Sequence, residues 1–257
     1  MSEERPRPLV IAHRGASGLE PEHTAAAYRR ALADGADGFE CDVRLTRDGV
    51  LVCLHDRTVE RTSNGRGVVS RMTLADLEKL NFGNRRSGVP ASVLTFEELL
   101  KIALGAGRPL TVLIETKHPV RYGVRVERQL VELLDRFGLT TVEGGDDVTV
   151  RIMSFSPAAV RVATRLAPAL PAVALMSRLP RDDGARPRRL FGGARIAGPS
   201  LAAVKADPSY VARAHDRGEQ VYVWTVDEPA DVAMLVELGV EAIITNRPDI
   251  VVPLVDH

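Results

Sequence analysis

The stretch GFECDVRLTRDGVLVCLHD, residues 38–56, decides the fold of this chain. It holds two apolar runs, Gly38 to Val43 and Val50 to His55, and the six residues between them end in an Asp48-Gly49 pair. Asp-Gly between two strands is a strong hairpin signal, whereas a parallel neighbour needs a crossover of about a dozen residues or more. The second run is therefore predicted to return antiparallel to the first.

Apolar runs recur along the rest of the chain and alternate with segments of helical spacing. Seven further candidate strands are Leu9 to His13, Leu110 to Glu115, Val148 to Ser154, Ala172 to Met176, Arg195 to Gly198, Gln220 to Thr225 and Glu241 to Thr245. Predicted helices include Glu22 to Ala33, Arg125 to Phe137, Pro157 to Leu166 and Glu228 to Leu238. Such alternation specifies a parallel sheet covered by helices. With the Val50 run removed as a hairpin arm, eight strands remain, which predicts an α/β fold of the TIM (β/α)8 barrel type.

The segment between His55 and Leu110 is long for a simple connection. It contains Gly-rich turns, a short helical stretch after Thr73 and a second one from Thr95 to Ala103. We expect Arg57 to Val93 to form a small insertion after the second barrel strand, over the barrel mouth. Because such barrels routinely run to roughly 250 residues as one unit, residues 1–257 are predicted to form a single domain.

Composition limits the partners of this chain. Lys plus Arg and Asp plus Glu both number 34, so no overall field attracts nucleic acid or an anionic membrane. The opening MSEERPRPLVIAHRG has the pattern of neither a signal peptide nor a membrane span. Cys41 and Cys53 lie in apolar strand-like runs and are interpreted as buried free thiols, which predicts a cytoplasmic location. The oligomeric state is left open, a homodimer included.

Polar residues that end apolar runs are informative, because active sites of these barrels form at the carboxyl ends of the strands. The first strand ends in His13 and Arg14, and Gly15 and Gly18 follow in a loop where backbone amides can approach an anion. The alternative for an isolated histidine is a buried ring with a satisfied hydrogen bond. The neighbouring Arg14 at a strand end favours a functional role.

Three carboxylates are predicted to converge near this histidine. Glu40 and Asp42 share one face of their strand, because strand side chains alternate with a period of two. Glu115 and Lys117 are spaced in the same way on a later strand. Ordinary salt bridges are the alternative for any single acidic pair. Three converging carboxylates raise one another's pKa unless a cation lies between them, and without cysteine they favour Mg²⁺ or Ca²⁺. One divalent metal is therefore expected.

In order and spacing, several motifs resemble the glycerophosphodiester phosphodiesterase family over almost the whole chain. They are HRGASGLEPEHT, ECDVRLTRDGVLVCLHD, ETK, MSFS, WTV and ITNRP. The resemblance implies metal-dependent hydrolysis of glycerophosphodiesters to sn-glycerol 3-phosphate and an alcohol. It also implies roles for individual residues: acid–base catalysis by His13 and His55, phosphate contacts by Arg14 and Lys117, metal binding by Glu40, Asp42 and Glu115, and a pocket wall near the glycerol formed by Trp224.

The chain departs from the commonest form of the first motif at His23, where the family usually has Asn. Because this position is expected to open a helix, the change is predicted to alter a helix cap and not the chemistry. One histidine would activate the attacking oxygen and the other would protonate the leaving alkoxide. The sequence leaves open which does which, and whether water or the glycerol 2-hydroxyl attacks.

Other functions remain as alternatives. A lysophospholipase D or sphingomyelinase D-like enzyme on the same barrel would be favoured by long apolar loops, which the sequence lacks. A non-catalytic glycerophosphate-binding barrel would be expected to lack one of the histidines or carboxylates, but all of them are present in this sequence. An amidohydrolase is disfavoured because no histidine pair supports its metal site. The cluster Arg186, Arg188 and Arg189 is interpreted as a solvated loop or as recognition of an extra anionic group. Surface or core positions are expected for His118, His215 and His257.

Overall fold

The computed structural model of the chain describes residues 6–83, 89–141, 148–180 and 190–256. Nine strands within these ranges form one sheet: β1 Leu9–His13, β2 Gly38–Leu45, β3 Leu51–Cys53, β4 Leu110–Thr116, β5 Val148–Ser154, β6 Ala172–Met176, β7 Ile196–Pro199, β8 Gln220–Trp224 and β9 Ala242–Thr245. Eight of them run parallel, and the pairing of β1 with both β9 and β2 closes the ring. The predicted TIM barrel is confirmed.

The remaining strand, β3, is the returning arm of the predicted hairpin. It pairs antiparallel with the end of β2, with Val43 opposite Cys53 and Leu45 opposite Leu51. The Asp48-Gly49 turn is held locally, because the Thr46 hydroxyl donates to Asp48 and accepts from the Val50 amide. β2 thus extends past its contact with β4, turns, and brings the chain back beside its own residues.

Helices cover the outside of the barrel and connect most strands. They are α1 Ala25–Ala33, α2 Leu74–Leu77, α3 Phe96–Leu104, α4 Arg125–Arg136, α5 Pro157–Leu166, α6 Leu201–Ala206, α7 Tyr210–Asp216, α8 Pro229–Leu238 and α9 Pro248–Val255. The predicted start of α1 at Glu22 is wrong. Thr24 is the N-cap residue, and His23 before it has a φ of 58°, a left-handed conformation that a helix cannot include.

The interior of the barrel explains where polar side chains can lie. Its apolar part is built by alternate residues of neighbouring strands, among them Ile11, Leu113, Met153, Tyr222 and Ile244. Since side chains alternate along each strand, the residues two positions further along also point inward, but at the carboxyl end. Polar side chains at the ends of the strands can therefore lie at the carboxyl end of the barrel, above the apolar interior.

The predicted insertion lies between β3 and α3 and has its own small core. Val59, Val69, Leu77 and Phe82 pack together with Val52 of β3. Residues 84–88 within it lie outside the described ranges. None of the helices in the described part of the chain combines the length and hydrophobicity needed to cross a membrane.

Gly38 provides a stability test of the barrel closure. A Cβ at this position would overlap the carbonyl oxygen of Thr111 on β4 and lie 2.6 Å from Ile11 Cδ1. We expect Gly38→Ala to lower the free energy of unfolding by about 3 kcal/mol, because strands β1 and β4, which both pair with β2, cannot move away from the added methyl group. The control is Gly107→Ala, where φ is 68° and nothing lies within 4 Å, so only a backbone cost of about 1 kcal/mol applies. Urea unfolding measures both, and equal losses would contradict the prediction.

Candidate active site

His13 ends β1 and points into the carboxyl end of the barrel. Its Nδ1 lies 2.8 Å from Asn246 Oδ1, and its Nε2 lies 3.9 Å from Glu40 Oε2. Burial, with the charge of Arg14 as a second cause, lowers the pKa of His13 to about 4. The imidazole is therefore neutral at pH 7 and able to accept a proton.

Arg14 follows in the left-handed conformation, with a φ of 58°. Its backbone amide donates to the Glu40 carbonyl at 3.0 Å. Its guanidinium Nε lies 3.1 Å from Asp42 Oδ2, and Nη1 donates to Glu22 at 3.1 Å. The turn after β1 therefore places a positive charge directly against the carboxylates of β2.

The three predicted carboxylates converge as expected. Asp42 lies beside Glu115 in the pairing of β2 with β4, and one oxygen each of Glu40, Asp42 and Glu115 lies within 4.8 Å of the others. All three side chains are buried. Burial and the charge of Asp42 raise the pKa of Glu40 well above its usual range and that of Glu115 to about 7. Hydrogen bonding from His23, with further nearby positive charge, overcomes burial and lowers the pKa of Asp42.

Lys117 neutralises part of this negative charge. Its Nζ lies 2.8 Å from Glu115 Oε1 and 3.1 Å from Asp42 Oδ1. The second contact is an ion pair without hydrogen-bond alignment, so Asp42 Oδ1 is a buried acceptor that receives no hydrogen bond. Clustered carboxylate oxygens with spare acceptor capacity are the donor set that Mg²⁺ and Ca²⁺ take in proteins. Glu40, Asp42 and Glu115 therefore fit a hard divalent cation.

His55 returns to the same site on the hairpin. The Arg44 guanidinium donates twice to the His55 carbonyl, at 3.0 and 2.7 Å, and His55 Nδ1 lies 2.7 Å from Asp56 Oδ1. Because an ionised carboxylate only accepts, Nδ1 carries the proton. Burial lowers the pKa of His55, Asp42 opposes this shift and Arg14 adds to it. Charged groups of the site, Asp42 and Arg14 among them, therefore act on His55.

An ion-pair network that the sequence did not reveal supports His55. Arg61 donates to Asp56 Oδ2 at 2.5 Å and to both oxygens of Glu22 at 2.6 and 2.7 Å. Glu22 also accepts from Arg14. The network joins the insertion to the loop after β1. Against the effect of burial, hydrogen bonds from Arg61 lower the pKa of Asp56 and of Glu22 to about 2.

The prediction that His23 alters a helix cap is wrong. The capping side chain is Thr24, whose Oγ1 accepts from the Ala27 amide. The left-handed backbone at His23 turns its buried ring toward the site, where Nε2 lies 3.0 Å from Asp42 Oδ2 and Nδ1 lies 2.9 Å from the Tyr28 hydroxyl. His23 therefore supports a candidate metal ligand.

Trp224 lies at the end of β8, where its indole N–H donates to the Gly198 carbonyl at 2.7 Å. The ring of Phe155 packs edge-on against it, with centroids 5.4 Å apart and planes at 88°. Phe155 is 43% exposed, so the pair forms an aromatic wall at the barrel mouth. The MSFS motif contains Phe155, but its spacing alone did not indicate this contact.

A cavity of about 630 Å³ opens beside Arg14 and Asn246. The first loop, the insertion and the segments after β8 and β9 all line it, with Arg14, Arg61, Asp227 and Asn246 among the polar residues. Asp227 and Asn246 were not singled out from the sequence. The only signal for Asn246 was its place in the ITNRP motif.

The remaining residues discussed from the sequence lie elsewhere. His118 Nε2 contacts Glu127 at 2.7 Å and His215 Nε2 contacts Glu241 at 3.1 Å, so both have structural partners away from the carboxylate cluster. Cys41 and Cys53 are free and buried, as predicted. His257 and the cluster Arg186, Arg188 and Arg189 lie outside the described residues.

Cationic side chains are held against clustered carboxylates at the carboxyl ends of the barrel strands, where the active sites of TIM-barrel enzymes lie. The model of the glycerophosphoryl diester phosphodiesterase family matches residues 13–250. The chain belongs to that family.

Named relatives and solved structures agree with this assignment. The chain is 48% identical to a probable glycerophosphodiester phosphodiesterase 1 of Mycobacterium tuberculosis, over 94% of this chain and 90% of the relative. It is 33% identical to a glycerophosphodiester phosphodiesterase of Caldanaerobacter subterraneus, over 96% and 97% of the two chains. An Oleispira antarctica phosphodiesterase in complex with the product sn-glycerol-3-phosphate has the same fold, with a TM-score of 0.84, 24% identity and 98% coverage of each chain.

Substitution of His23 tests its contact with Asp42. We expect His23→Leu to lower the free energy of unfolding by about 3 kcal/mol, because it strands a buried carboxylate oxygen and places a branched residue at positive φ. His23→Asn retains a donor and tolerates positive φ, so its loss should stay below about 1 kcal/mol. Urea unfolding at pH 7 gives both values. Equal losses in the two variants would show that the hydrogen bond to Asp42 contributes nothing.

The Arg61 network predicts a pH-dependent stability term. Because the pKa values of Asp56 and Glu22 are lowered to about 2, their stabilisation is present above their ordinary pKa of about 4 and is lost as pH falls through about 2. Arg61→Gln should therefore cost about 1 kcal/mol at pH 7, and the difference from the parent should shrink toward pH 2. Urea unfolding across this range measures it. Arg30→Gln, which breaks an exposed pair with Asp34, is the matched control and should show little effect.

Proposed function

We propose that this phosphodiesterase hydrolyses glycerophosphodiesters to sn-glycerol 3-phosphate and an alcohol, with one divalent metal, Mg²⁺ or Ca²⁺. The observation that carries the proposal is the buried cluster of Glu40, Asp42 and Glu115, with Arg14 and Lys117 in direct contact. Relatives with this activity in their names span nearly the whole chain. The product-bound Oleispira antarctica enzyme shares its fold.

The charges of the site suit a phosphodiester. Such a substrate resists attack because its anionic oxygens repel nucleophiles, so positive charge must be present where negative charge develops. We assign Arg14 and Lys117 to the phosphate oxygens. A divalent cation held by Glu40, Asp42 and Glu115 would supply further charge neutralisation when bound.

Proton transfer is assigned to His13 and His55. One histidine takes the proton of the attacking hydroxyl while the oxygen of that hydroxyl bonds to phosphorus. The other histidine gives a proton to the leaving alkoxide as the bond between phosphorus and the leaving oxygen breaks. The order of the two roles stays open. So does the nucleophile, which is either water or the glycerol 2-hydroxyl, the latter giving a cyclic phosphate that water then opens.

Other predictions are kept as part of the proposal. Trp224, with Phe155 beside it, is assigned to the wall near the glycerol. Residues 1–257 are proposed to act as one domain on a small-molecule substrate, without nucleic acid and without stable membrane insertion. A cytoplasmic location is supported by the buried thiols of Cys41 and Cys53. The oligomeric state, a homodimer included, is left open.

Released glycerol 3-phosphate tests the proposal. Glycerophosphodiesters of choline, ethanolamine and inositol are assayed before and after chelation, and after return of Mg²⁺ or Ca²⁺. We expect chelation to remove activity and one of the cations to restore it. Glu115→Gln should lower kcat by about 100-fold or more at a fixed metal concentration, because changing even a residue that supports a metal ligand typically costs about 10- to 100-fold in metal affinity or activity. Glu97→Gln, on the exposed face of α3, is the matched control.

Activity that survives both chelation and His55→Ala would overturn the mechanism. A substrate without the glycerol 2-hydroxyl separates the two nucleophiles. Continued turnover of that substrate would exclude the cyclic route, whereas loss of turnover with retained binding supports it.

A further inference from the structure

The hydrogen bonds of Asn246 bear directly on His13. Asn246 follows β9, and β9 pairs with β1, which ends in His13. The Asn246 amide lies between two groups: its Oδ1 is 2.8 Å from His13 Nδ1, and its Nδ2 donates to Asp227 Oδ2 at 2.7 Å. Three side chains from the two ends of the sequence thus form one chain of hydrogen bonds.

Asp227 decides which way the amide points. Its Oδ1 accepts from the Asn246 backbone amide at 2.8 Å and from the Thr245 hydroxyl at 2.9 Å, and its Oδ2 accepts from Asn246 Nδ2. An ionised carboxylate only accepts hydrogen bonds. An amide offers donors on nitrogen and acceptors on oxygen, so Asn246 must turn Nδ2 to Asp227 and Oδ1 to His13.

The orientation of the amide then decides the state of the imidazole. Since Asn246 Oδ1 can only accept, His13 Nδ1 must carry the hydrogen. In the neutral ring the other nitrogen, Nε2, then holds the lone pair. Nε2 is the nitrogen on the side of Glu40, 3.9 Å from its Oε2, and therefore faces the carboxylate cluster.

We propose that Asn246 is a positioning residue that fixes His13 in the Nδ1–H tautomer, and that Asp227 sets the orientation of the Asn246 amide. The assignment of proton transfer to His13 rests on the proposed function, but the tautomer itself does not. Asn246 and Asp227 act through the ring of His13.

Asp227→Asn is the informative variant. The oxygen of the new amide would stay with its two donors, the Asn246 backbone amide and the Thr245 hydroxyl, which places its NH₂ group against Asn246 Nδ2. Two donors cannot face each other, so Asn246 should rotate and present Nδ2 to His13. Ser17 Oγ, 2.8 Å from Asn246 Oδ1 and 2.7 Å from the His13 carbonyl, can accept from the rotated amide while donating to that carbonyl. His13 would then hold its hydrogen on Nε2.

Nuclear magnetic resonance detects the tautomer of His13 directly. The protein is labelled with ¹⁵N-histidine, and two-bond ¹H–¹⁵N correlation spectra at pH 7.5 distinguish protonated from unprotonated ring nitrogens. The His13 signals are identified as those lost in His13→Gln. We expect a protonated Nδ1 in the parent protein, the reversed pattern in Asp227→Asn, and a mixture of tautomers in Asn246→Leu, where no acceptor remains.

Steady-state kinetics gives the second readout. Asp227→Asn should lower kcat for a glycerophosphodiester by about 100-fold or more, since a wrong tautomer removes proton transfer, while KM changes less than about threefold. Asp249→Asn is the control, because it makes the same chemical change in the pair of Asp249 with Arg247. It should leave the His13 spectrum and kcat unchanged.

The outcomes separate this inference from the proposed function. A parent protein with hydrogen on His13 Nε2, or Asp227→Asn with the parent tautomer, would overturn the role of Asn246. Should Asp227→Asn not fold, Asn246→Leu decides in its place, and an unchanged tautomer there overturns the inference. A parent protein with the expected tautomer but no glycerophosphodiester hydrolysis would contradict the proposed function alone.

Discussion

Three carboxylates buried within 4.8 Å of one another are the constraint on which the rest of the site depends. Like charges at this distance repel strongly where water is excluded. The chain answers with positive charge from separate elements: Arg14 from the loop after β1 and Lys117 from the end of β4. His23 adds a hydrogen bond to Asp42. These groups limit the repulsion, yet the pKa values of Glu40 and Glu115 remain raised, which is the state that a divalent cation relieves.

The hairpin of β2 and β3 explains why one segment supplies both carboxylates and a histidine. Glu40 and Asp42 point inward from the barrel part of β2, and β3 brings His55 back beside them. The Leu54 amide donates to the Asp42 carbonyl at 3.0 Å, so the backbone before His55 is joined to the backbone of a candidate metal ligand. Arg44, two residues after Asp42 on the same face, holds the His55 carbonyl. β2 therefore holds the backbone of His55, while Arg61 of the insertion supports the His55 ring through Asp56.

Sequence patterns predicted those features that depend on local periodicity. The two-residue spacing of Glu40 and Asp42 and the Asp48-Gly49 turn were sufficient for the convergence of carboxylates and for the hairpin. The contacts of Asp56 with Arg61, and of His13 with Asn246, were not predictable in this way, because they depend on which loops meet when the barrel closes. His23 was misjudged for a different reason. A left-handed backbone at a residue other than glycine leaves no pattern in the sequence, and this conformation turns the ring toward Asp42.

The two candidate catalytic histidines are held alike in geometry but not in charge. Each has Nδ1 at hydrogen-bond distance from an oxygen supplied by another residue, Asn246 for His13 and Asp56 for His55. The partner of His13 is a neutral amide. Burial, together with the charge of Arg14, lowers the pKa of His13 to about 4. The partner of His55 is a carboxylate, which favours the protonated ring and opposes the lowering of the His55 pKa by burial. Acid–base catalysis needs one group that takes a proton and one that gives it. Unequal partners at Nδ1 are a physical basis for dividing these roles between two identical side chains.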